Sequence, residues 1–520
     1  MARGKMRDGL WSRIVWAMAA VILGAVAVSA HVGSPDVYFE GNAGPYRLYV
    51  TVRVPQVIPG IAEIEVRSAS ADVQKVEIVP MRLSGAGSNL PPTPDVAERS
   101  KQDPQFFTGK LWLMEFGALK VRVDVEGSKG KGELAVPVPA VAQKNLPMEK
   151  SLGGLLFGLM LFLAVGLVFI AGAAAREGNL EPGQEPTAAK KRRARIVMVV
   201  TAAVVFGIIF LGKAWWGLEA RSYAGAIDYF KPPAADTQLQ NGNRLVIRAK
   251  DSDERWARNV KMEELVPDHG HLMHLFLVSM PGMERIWHLH PERAGETFVD
   301  DLPDMPAGEY EVFADIVDKN GFPWTLVGQV DLPVVNGKAM TGDDSSWEGA
   351  AIGGGGAAAG GALRGPGQAS SATAEDAAVA RLADGGSMVW EKPSGAIGAN
   401  TALDLKFKVL DKEGQPAKDV EPYMGMAGHA EIVSSDFSVF AHIHPAGSVS
   451  MAALELANGG ITSEGGGMPS GMAGMAMPTG ALEPEVSFPY GFPKAGHYRI
   501  FVQIKRGERV ETGAFDVNVQ

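Results

Sequence analysis

The chain has 520 residues, a formal net charge of −10, 46% hydrophobic residues and no cysteine. Its length predicts roughly three or four domains, and its negative charge argues against a nucleic-acid partner. Without cysteine there can be no disulfide, thiolate metal site, iron–sulfur cluster or cysteine nucleophile. A metal site must therefore use histidine, methionine, carboxylates or the backbone.

The N-terminus has the pattern of an export signal. Residues 14–30 carry no charge, follow Arg7 and Arg13, and end in Ser29 and Ala30. A basic start, an apolar stretch and small residues at a cleavage point are typical of a secretory signal peptide. We expect residues 1–30 to be such a signal, either cleaved or retained as an anchor.

Residues 31–149 predict a β-sandwich of roughly 110 residues. Apolar and polar side chains alternate in short segments that proline and glycine separate, which is typical of antiparallel strands. The segments are YRLYVTVRV (46–54), AEIEVRS (62–68), VQKVEIV (73–79), LKVRVDVEG (119–127) and GELAVPV (132–138).

Two apolar stretches follow, and both predict transmembrane helices. Residues 151–175 carry no charge, and residues 196–216 contain only Lys213 near an end marked by two tryptophans. Either stretch can cross an apolar layer of about 30 Å. The basic run KKRRAR in the intervening loop, 176–195, predicts a cytoplasmic location. Residues 31–149 and 217–520 would then lie outside, in the periplasm of a bacterium.

Residues 217–335 and 396–520 form an internal repeat, joined by a Gly/Ala-rich linker at 336–395. RLVIRAKD matches ALDLKFKVLD, and AGEYEVFADI matches AGHYRIFVQI. Each copy predicts a small β-domain. The predicted fold is therefore mainly β: three exported β-sandwich domains, immunoglobulin- or cupredoxin-like, with two transmembrane helices and a signal peptide.

Each copy of the repeat carries three corresponding histidines. They are His274, His288 and His290 in the first copy, and His429, His442 and His444 in the second. Alternate residues of a strand share one face, and a hairpin turn near 434–436 would place His429 opposite His442 to within one residue. Three imidazoles at that spacing predict a metal site in each copy. Surface histidines of a hairpin are the alternative interpretation.

Two octapeptides suggest which metal. PDHGHLMH (267–274) and PYMGMAGH (422–429) match at their proline, central glycine and final histidine. His269 and His271 in the first correspond to Met424 and Met426 in the second. Imidazole and thioether both bind copper, whereas thioether is a poor zinc ligand. The exchange predicts copper rather than zinc, with these four side chains as outer ligands.

A glycine-rich loop at 465–478, GGGMPSGMAGMAMP, concentrates further methionines. They are Met468, Met472, Met475 and Met477. Methionine usually fills a core, but this loop has no other large apolar side chain to pack with it. The loop therefore predicts capture of Cu(I).

The segment AHVGSPDVYFEGNAGPY, at 30–46, resembles the start of the CopC/YtkA-like family of periplasmic copper-handling β-sandwiches. The resemblance covers residues 30–149 and implies that fold, with His31 as a copper ligand at the mature N-terminus. Sites of this family add a second histidine and an acidic residue. This region has no other histidine, and Asp36 or Glu40 would be the acidic candidate. The repeats are similar to uncharacterised bacterial membrane proteins.

These patterns favour a non-enzymatic protein of the bacterial inner membrane that buffers copper, or delivers it to a copper-dependent membrane enzyme or transporter. One alternative is a cupin-like metalloenzyme, because Glu296 follows His290 closely. Ser450 occupies the matching position in the second copy, and no G-x-S-x-G, H-E-x-x-H or Walker motif occurs. The other alternative is a structural or assembly subunit of a respiratory membrane complex.

Overall fold

The computed structural model describes residues 34–181, 183–229, 231–250, 260–352, 378–459 and 482–520. The predicted signal peptide, His31, the centre of the predicted linker and the methionine loop lie outside the described residues. That loop holds Met468, Met472, Met475 and Met477.

The chain forms two compact units. One consists of Pro59–Ala140, Pro232–Gln520 and the residues up to Pro55, and the other of Gln56–Ile58 and Val141–Lys231. The fold is mainly β, with several antiparallel sheets and two long apolar helices, as predicted. The division of the β-structure into three sandwich domains stays a prediction.

Nine strands build the N-terminal β-structure. They are β1 (Val37–Ala43), β2 (Tyr46–Arg53), β3 (Gly60–Ser68), β4 (Val73–Arg82), β5 (Asp95–Val96), β6 (Glu98–Arg99), β7 (Phe106–Leu113), β8 (Gly117–Gly127) and β9 (Gly130–Ala140). They form one sheet in the order β1-β2-β3-β7-β6 and another in the order β5-β4-β8-β9. All five predicted strand segments are confirmed. The strands β1 and β7 were not predicted, because glycine interrupts their alternation.

The other compact unit contains two long helices, α1 (Lys150–Glu177) and α2 (Ala188–Tyr229). Both are long and apolar enough to cross a membrane. α2 extends beyond the predicted span at both ends and includes the basic run, which the sequence had placed in a loop. Lysine, arginine and alanine favour helix, and no proline or glycine interrupts residues 188–206. The connection between the helices is therefore limited to residues 178–187.

The described part of the first repeat contributes nine strands, and a tenth lies in the predicted linker and joins one of its sheets. They are β10 (Ala235–Gln240), β11 (Arg244–Ala249), β12 (Leu265–Val266), β13 (His274–Ser279), β14 (Arg285–Leu289), β15 (Glu292–Ala294), β16 (Thr297–Asp301), β17 (Gly308–Asp318), β18 (Pro323–Leu332) and, in the linker, β19 (Ser345–Glu348). One sheet has the order β10-β11-β16-β15. The other has the order β12-β17-β13-β14-β19, and β18 also pairs with β17.

The described part of the second repeat contributes seven strands and one short helix, and two further strands lie in the predicted linker and join one of its sheets. They are, in the linker, β20 (Val379–Arg381) and β21 (Ser387–Trp390), and then β22 (Leu403–Leu410), β23 (Val420–Glu421), β24 (His429–Ser434), β25 (Phe440–Ile443), α3 (Met451–Ala457), β26 (Glu485–Tyr490), β27 (Gly496–Arg506) and β28 (Arg509–Val519). One sheet has the order β20-β21-β22-β26 and the other β23-β27-β24-β25, with β28 also on β27. The order β23-β27-β24-β25 reproduces β12-β17-β13-β14, so the sequence repeat is also a structural repeat.

The two repeats share an apolar core, which positions the histidine-bearing strands. From the first repeat come Phe276, Val278, Met283, Ile286 and Phe313; from the second, Val433, Phe440 and Phe501. The rings of Phe313 and Phe440 stack at 4.2 Å. Burying a large apolar side chain contributes about 1.5–3 kcal/mol, so this core holds the hairpins β13–β14 and β24–β25 against each other.

Candidate metal centre

A cluster of histidines lies between the two repeats, beside their shared apolar core. Of the chain's ten histidines, the described residues bring eight together: His269, His271, His274, His288, His290, His429, His442 and His444. His497 lies elsewhere, exposed on β27. The ring of His442 lies 5.2 Å from that of His274 and 5.4 Å from that of His429, which makes the cluster continuous across the repeats.

The matching octapeptides form the same tight turn. Asp268 and His271 exchange two main-chain hydrogen bonds of 2.8 and 2.9 Å, and Tyr423 and Met426 exchange two of 2.7 and 3.0 Å. The two central residues of each turn have positive φ: 51° and 87° in the first turn, 47° and 83° in the second. This is a type I′ turn, and the shared glycine fills the second left-handed position. The turns project His269 in one copy and Met424 in the other.

The hairpin register differs from the prediction. In the second repeat His442 pairs with Glu431, and in the first His288 pairs with Phe276. His429 is therefore not opposite His442; its ring lies 5.0 Å from that of His444. The difference of two residues arises because the turn lies later in the chain than predicted: Ser434 N donates to Val439 O at 2.9 Å, so residues 435–438 form the loop. A shift by two keeps every side chain on the same face, so the histidines still converge.

The first group consists of His274, His288 and His290, as the sequence grouped them, with one ligand atom of each within 4.8 Å of the others. His274 Nδ1 lies 3.0 Å from His288 Nε2. Hydrogen bonds to three acceptors occupy the remaining nitrogens: His274 Nε2 to Asp268 O at 3.1 Å, His288 Nδ1 to Gln503 Oε1 at 2.9 Å, and His290 Nδ1 to Asp344 Oδ1 at 2.9 Å. The Asp268 carbonyl can only accept, so His274 carries its proton on Nε2. With His288 and His290 protonated on the nitrogens that face Gln503 and Asp344, the inward nitrogens of all three rings are free to bind a cation.

The second group consists of His269, His429 and His444, again with ligand atoms within 4.8 Å. It differs from the predicted triad, because His269 of the first repeat takes the place given to His442. The turn bearing His269 reaches across the interface, where His269 Nδ1 donates to Met424 O at 2.9 Å. His444 Nδ1 donates to Val449 O at 3.0 Å, and the Nε2 atoms of His269 and His429 are 3.4 Å apart. This group therefore draws on both repeats.

Burial keeps five histidines of the cluster uncharged at neutral pH. It lowers the pKa of four histidines well below the ordinary value, and neighbouring imidazoles lower it further: His274, His288, His429 and His442. The pKa of His444 falls to about 4, again mainly through burial. Neutral imidazole is the form that binds metals. These rings are therefore ready ligands at neutral pH.

Two carboxyl groups adjoin the cluster, that of Glu431 fully buried and that of Asp315 partly buried, and the sequence interpretation missed both. His288 Nδ1 lies 3.8 Å from Glu431 Oε1, and His442 Nδ1 lies 3.6 Å from Asp315 Oδ2. Burial raises the pKa of Asp315 to about 7 and that of Glu431 well above its usual range. A buried carboxylate can offset the charge of a nearby cation. The sequence signal was available, since Glu431 follows His429 by the two-residue step that places both on one strand face.

The remaining predicted ligands lie at the edge of the cluster. His271 is half-buried, its ring stacks on that of His290 at 3.9 Å, and its Nε2 lies 3.6 Å from Asp343 Oδ2. Met424 contacts His269 through its main-chain oxygen. Coordination by the thioethers of Met424 and Met426 stays a prediction.

The loop after His444 docks on the N-terminal β-structure. Glu40 N donates to Ala446 O at 2.8 Å, and Ser448 N donates to Tyr38 O at 2.9 Å. Ala452, in the first turn of α3, donates to Asp268 Oδ1 at 2.8 Å. These contacts hold the Val449 carbonyl in position to accept from His444.

The acidic candidates near the N-terminus are engaged with arginines. Asp36 Oδ2 accepts from Arg53 at 3.3 Å, and Glu40 accepts from Arg47. Because His31 lies outside the described residues, the CopC-like copper site stays a prediction.

Residues 381–520 match the model of a family described as a domain of unknown function (DUF8832), which covers the second repeat. No curated protein matches the chain. Among solved structures, the tetra-tandem repeat from the extending region of a large adhesion protein matches with 8% identity and a TM-score of 0.16, over 90% of this chain and 72% of that one.

Two further solved structures show the same low level of similarity. Salmonella alpha-2-macroglobulin reacted with methylamine matches with 9% identity and a TM-score of 0.19, over 94% of this chain and 24% of that one. A putative membrane anchored protein from Corynebacterium diphtheriae matches with 9% identity and a TM-score of 0.13, over 93% of this chain and 96% of that one. This chain thus spans less than two thirds of the alpha-2-macroglobulin. These TM-scores carry no functional argument.

Proposed function

We propose that the protein is a membrane-anchored copper-binding protein that buffers or delivers copper through the two three-histidine groups between its repeats. The supporting observation is the pair His274 Nδ1 and His288 Nε2, 3.0 Å apart. His274 donates its proton to the Asp268 carbonyl, and with the His288 proton on Nδ1, toward Gln503 Oε1, two lone pairs face each other. Two nitrogens that bind one ion at about 2.0 Å each lie roughly 3 Å apart at ordinary coordination angles. The pair therefore has the spacing of two ligands.

The donor set favours copper. Each group offers imidazole nitrogens and the chain has no thiolate, a set that suits copper and zinc. Cu(II) stands highest in the affinity order of the divalent first-row metals. The methionines of the second octapeptide and of the 465–478 loop would add affinity for Cu(I). Ligands for both oxidation states suit a protein that takes up copper and passes it on.

Hydrogen-bond acceptors hold the imidazoles in orientation, as the groups that hydrogen-bond to metal-binding histidines do in known metal sites. The carboxyl oxygen of Asp344, the amide oxygen of Gln503 and the carbonyl of Val449 each accept from a ring nitrogen. His271, half-buried beside His290, is one of the cluster's more accessible imidazoles. We propose that copper enters and leaves past His271.

The helices α1 and α2 would anchor the protein in the bacterial inner membrane. The basic residues 190–195, at the N-terminal end of α2, favour a cytoplasmic location for the connection 178–187. The histidine cluster, beyond the C-terminal end of α2 in the chain, would then face the periplasm. A periplasmic copper-dependent enzyme or a copper transporter is the corresponding partner.

The test is the metal content of the full-length protein, purified in detergent, stripped of metal and equilibrated with copper and zinc together. We expect copper in both groups, with one ion lost in His288→Ala and one in His429→Ala. His497→Ala is the matched control, because His497 is exposed and outside the cluster. Zinc or iron together with substrate turnover would support the metalloenzyme alternative. Binding unaffected by both cluster substitutions would overturn the proposal.

A further inference from the structure

Two histidines of the cluster, His271 and His442, belong to neither three-histidine group. The ring of His442 lies 5.2 Å from His274, 5.6 Å from His288, 5.4 Å from His429 and 4.7 Å from His444. It thus approaches two members of each group. By contrast, His271 stacks on the first group alone and is half-exposed.

The ring of His442 is held so that one nitrogen stays available. Its Nδ1 lies 3.6 Å from Asp315 Oδ2, its side chain is 4% exposed, and the ring of Phe276 lies 5.1 Å away. Its Nε2 is buried and has no hydrogen-bond partner within the described part of the chain. A buried nitrogen without a partner is costly. A bound cation would satisfy it.

The repeats use their paired histidines differently. In the first repeat both His288 and His290 belong to one group, whereas in the second only His444 does. His269 of the first repeat takes the remaining place, because its turn crosses the interface. His442 is thereby left between the groups. The ring of His442 lies close to that of His444, yet the proposed function gives His442 no role.

We propose that His442 is a fourth ligand shared by the two groups, which it completes one at a time, so that they form a single coupled two-metal centre. This proposal rests on the proposed copper-binding function. A neutral imidazole offers one lone pair, so His442 cannot serve both groups at once. The first copper ion would be bound by four imidazoles and the second by three. Occupation of one group would then weaken the other.

The experiment titrates the metal-free full-length protein in detergent with Cu(II) alone. Electron paramagnetic resonance counts the nitrogen ligands at one equivalent and detects spin–spin broadening at two. The variant His442→Phe keeps a ring and similar volume but removes the lone pair. His442→Gln tests the same loss with a polar side chain, and His497→Phe is the matched control.

For the parent protein we expect four nitrogens at one equivalent and a broadened signal at two. In both His442 variants the first ion should be bound by three nitrogens. Its affinity should fall at least about tenfold, a scale that losing an outer-shell partner already reaches. The affinity for the second ion should change little, because three imidazoles bind that ion in the parent protein and in both variants.

If His442→Gln binds the first ion with four nitrogens and binds both ions with the affinities of the parent protein, the proposal is overturned. His442 would then only pack beside the centre. Two unbroadened signals in the parent protein would overturn it as well, because the groups would be independent. Failure of the proposed function looks different. In that case the parent protein retains no copper, or His288→Ala and His429→Ala retain all of it.

Discussion

His274 Nδ1 lies 3.0 Å from His288 Nε2, and the outward nitrogens of the two rings lie 3.1 Å from Asp268 O and 2.9 Å from Gln503 Oε1. With a proton on each outward nitrogen, two buried lone pairs face each other and repel. A bound cation would turn the repulsion into attraction. We therefore expect cation binding and folding stability to be coupled at this pair.

The substitution His288→Phe tests this coupling. It keeps an aromatic ring beside Phe276 but removes the inward lone pair. A ligand at 100 times its Kd stabilises a protein by about 2.7 kcal/mol, so copper should raise the Tm of the parent protein. In His288→Phe most of that increase should disappear. Thermal denaturation with and without copper measures the effect, and a full copper-induced increase in the variant would contradict it.

The buried histidines predict that the metal-free protein loses stability in acid. His444 has a pKa of about 4 in the folded state against about 6.5 when unfolded. The unfolded chain therefore takes up the proton first as the pH falls. The contribution of His444 is complete above about pH 6.5 and decreases toward pH 4, by up to about 1.4 kcal/mol per pH unit.

Other groups of the cluster modify this pH dependence. Four more buried histidines shift in the same direction. Asp315, with a raised pKa of about 7, and Glu431, whose pKa burial raises well above its usual range, act oppositely, because a raised carboxyl pKa favours folding at low pH. Urea denaturation at pH 7.5, 6.5 and 5.5 should still show a net loss, shallower in His444→Gln. If the free energy of unfolding of His444→Gln falls with pH as steeply as that of the parent protein, His444 has an ordinary pKa in the folded state.

Gly447 should be far less tolerant of substitution than a comparable glycine. It has φ +125°, and a Cβ there would lie 1.9 Å from Tyr38 O. Gly395 has φ +101° but no atom within 4 Å of its Cβ position. Gly395→Ala therefore adds only backbone strain, about 1–2 kcal/mol, whereas Gly447→Ala adds a main-chain clash. Chemical denaturation should show the larger loss in Gly447→Ala, and equal losses would contradict this docking of the loop.

The two turns predict that exchanging methionine for histidine changes whether a group prefers Cu(I) or Cu(II). Met424 has φ +47° and its counterpart His269 has φ +51°, so histidine fits the second turn without new strain. Replacing Met424 and Met426 together with histidine should shift the second group toward Cu(II), because imidazole favours that state. Replacing both with leucine should weaken the binding of Cu(I) without strengthening the binding of Cu(II). Titration in each oxidation state distinguishes these outcomes, and identical preferences in all three proteins would exclude both methionines.

A topology reporter tests the membrane arrangement. An enzyme active only in the periplasm should work when fused after residue 149 or after residue 520. The same enzyme should be silent when inserted at Thr187, which directly precedes α2. The reason is the positive charge of residues 190–195. Activity at Thr187 would invert the predicted orientation.

Much of the fold was predictable because its strands follow simple alternation. In β8 every second residue from Leu119 to Val125 is buried, as its sequence indicates. The extension of α2 through the basic run was not predicted, because charge marked a loop while helix propensity favoured a helix. The register of β24 and β25 was not predicted either, because it depends on which residues close the turn.

The composition of the site was only partly predictable. The alternation of His288 and His290 was sufficient to group them with His274. That His269 joins His429 could not be read from either copy, because it depends on how the repeats pack. Glu431 has no acidic counterpart in the first repeat, where Phe276 corresponds to it, so comparing the copies could not reveal it.

The cross-repeat hydrogen-bonding geometry has an evolutionary consequence. His288 donates to Gln503 of the other repeat, and His442 approaches Asp315 of the other repeat. Gln503 and Asp315 are themselves equivalent, as the strand partners of His429 and His274. Such exchange is the signature of a two-fold symmetric homodimer. An ancestral single domain, paired with a second copy of itself, would have contained this interface. Within a single chain the equivalent positions are free to differ, so that Glu431 and Phe276 occupy matching places on opposite sides of one centre.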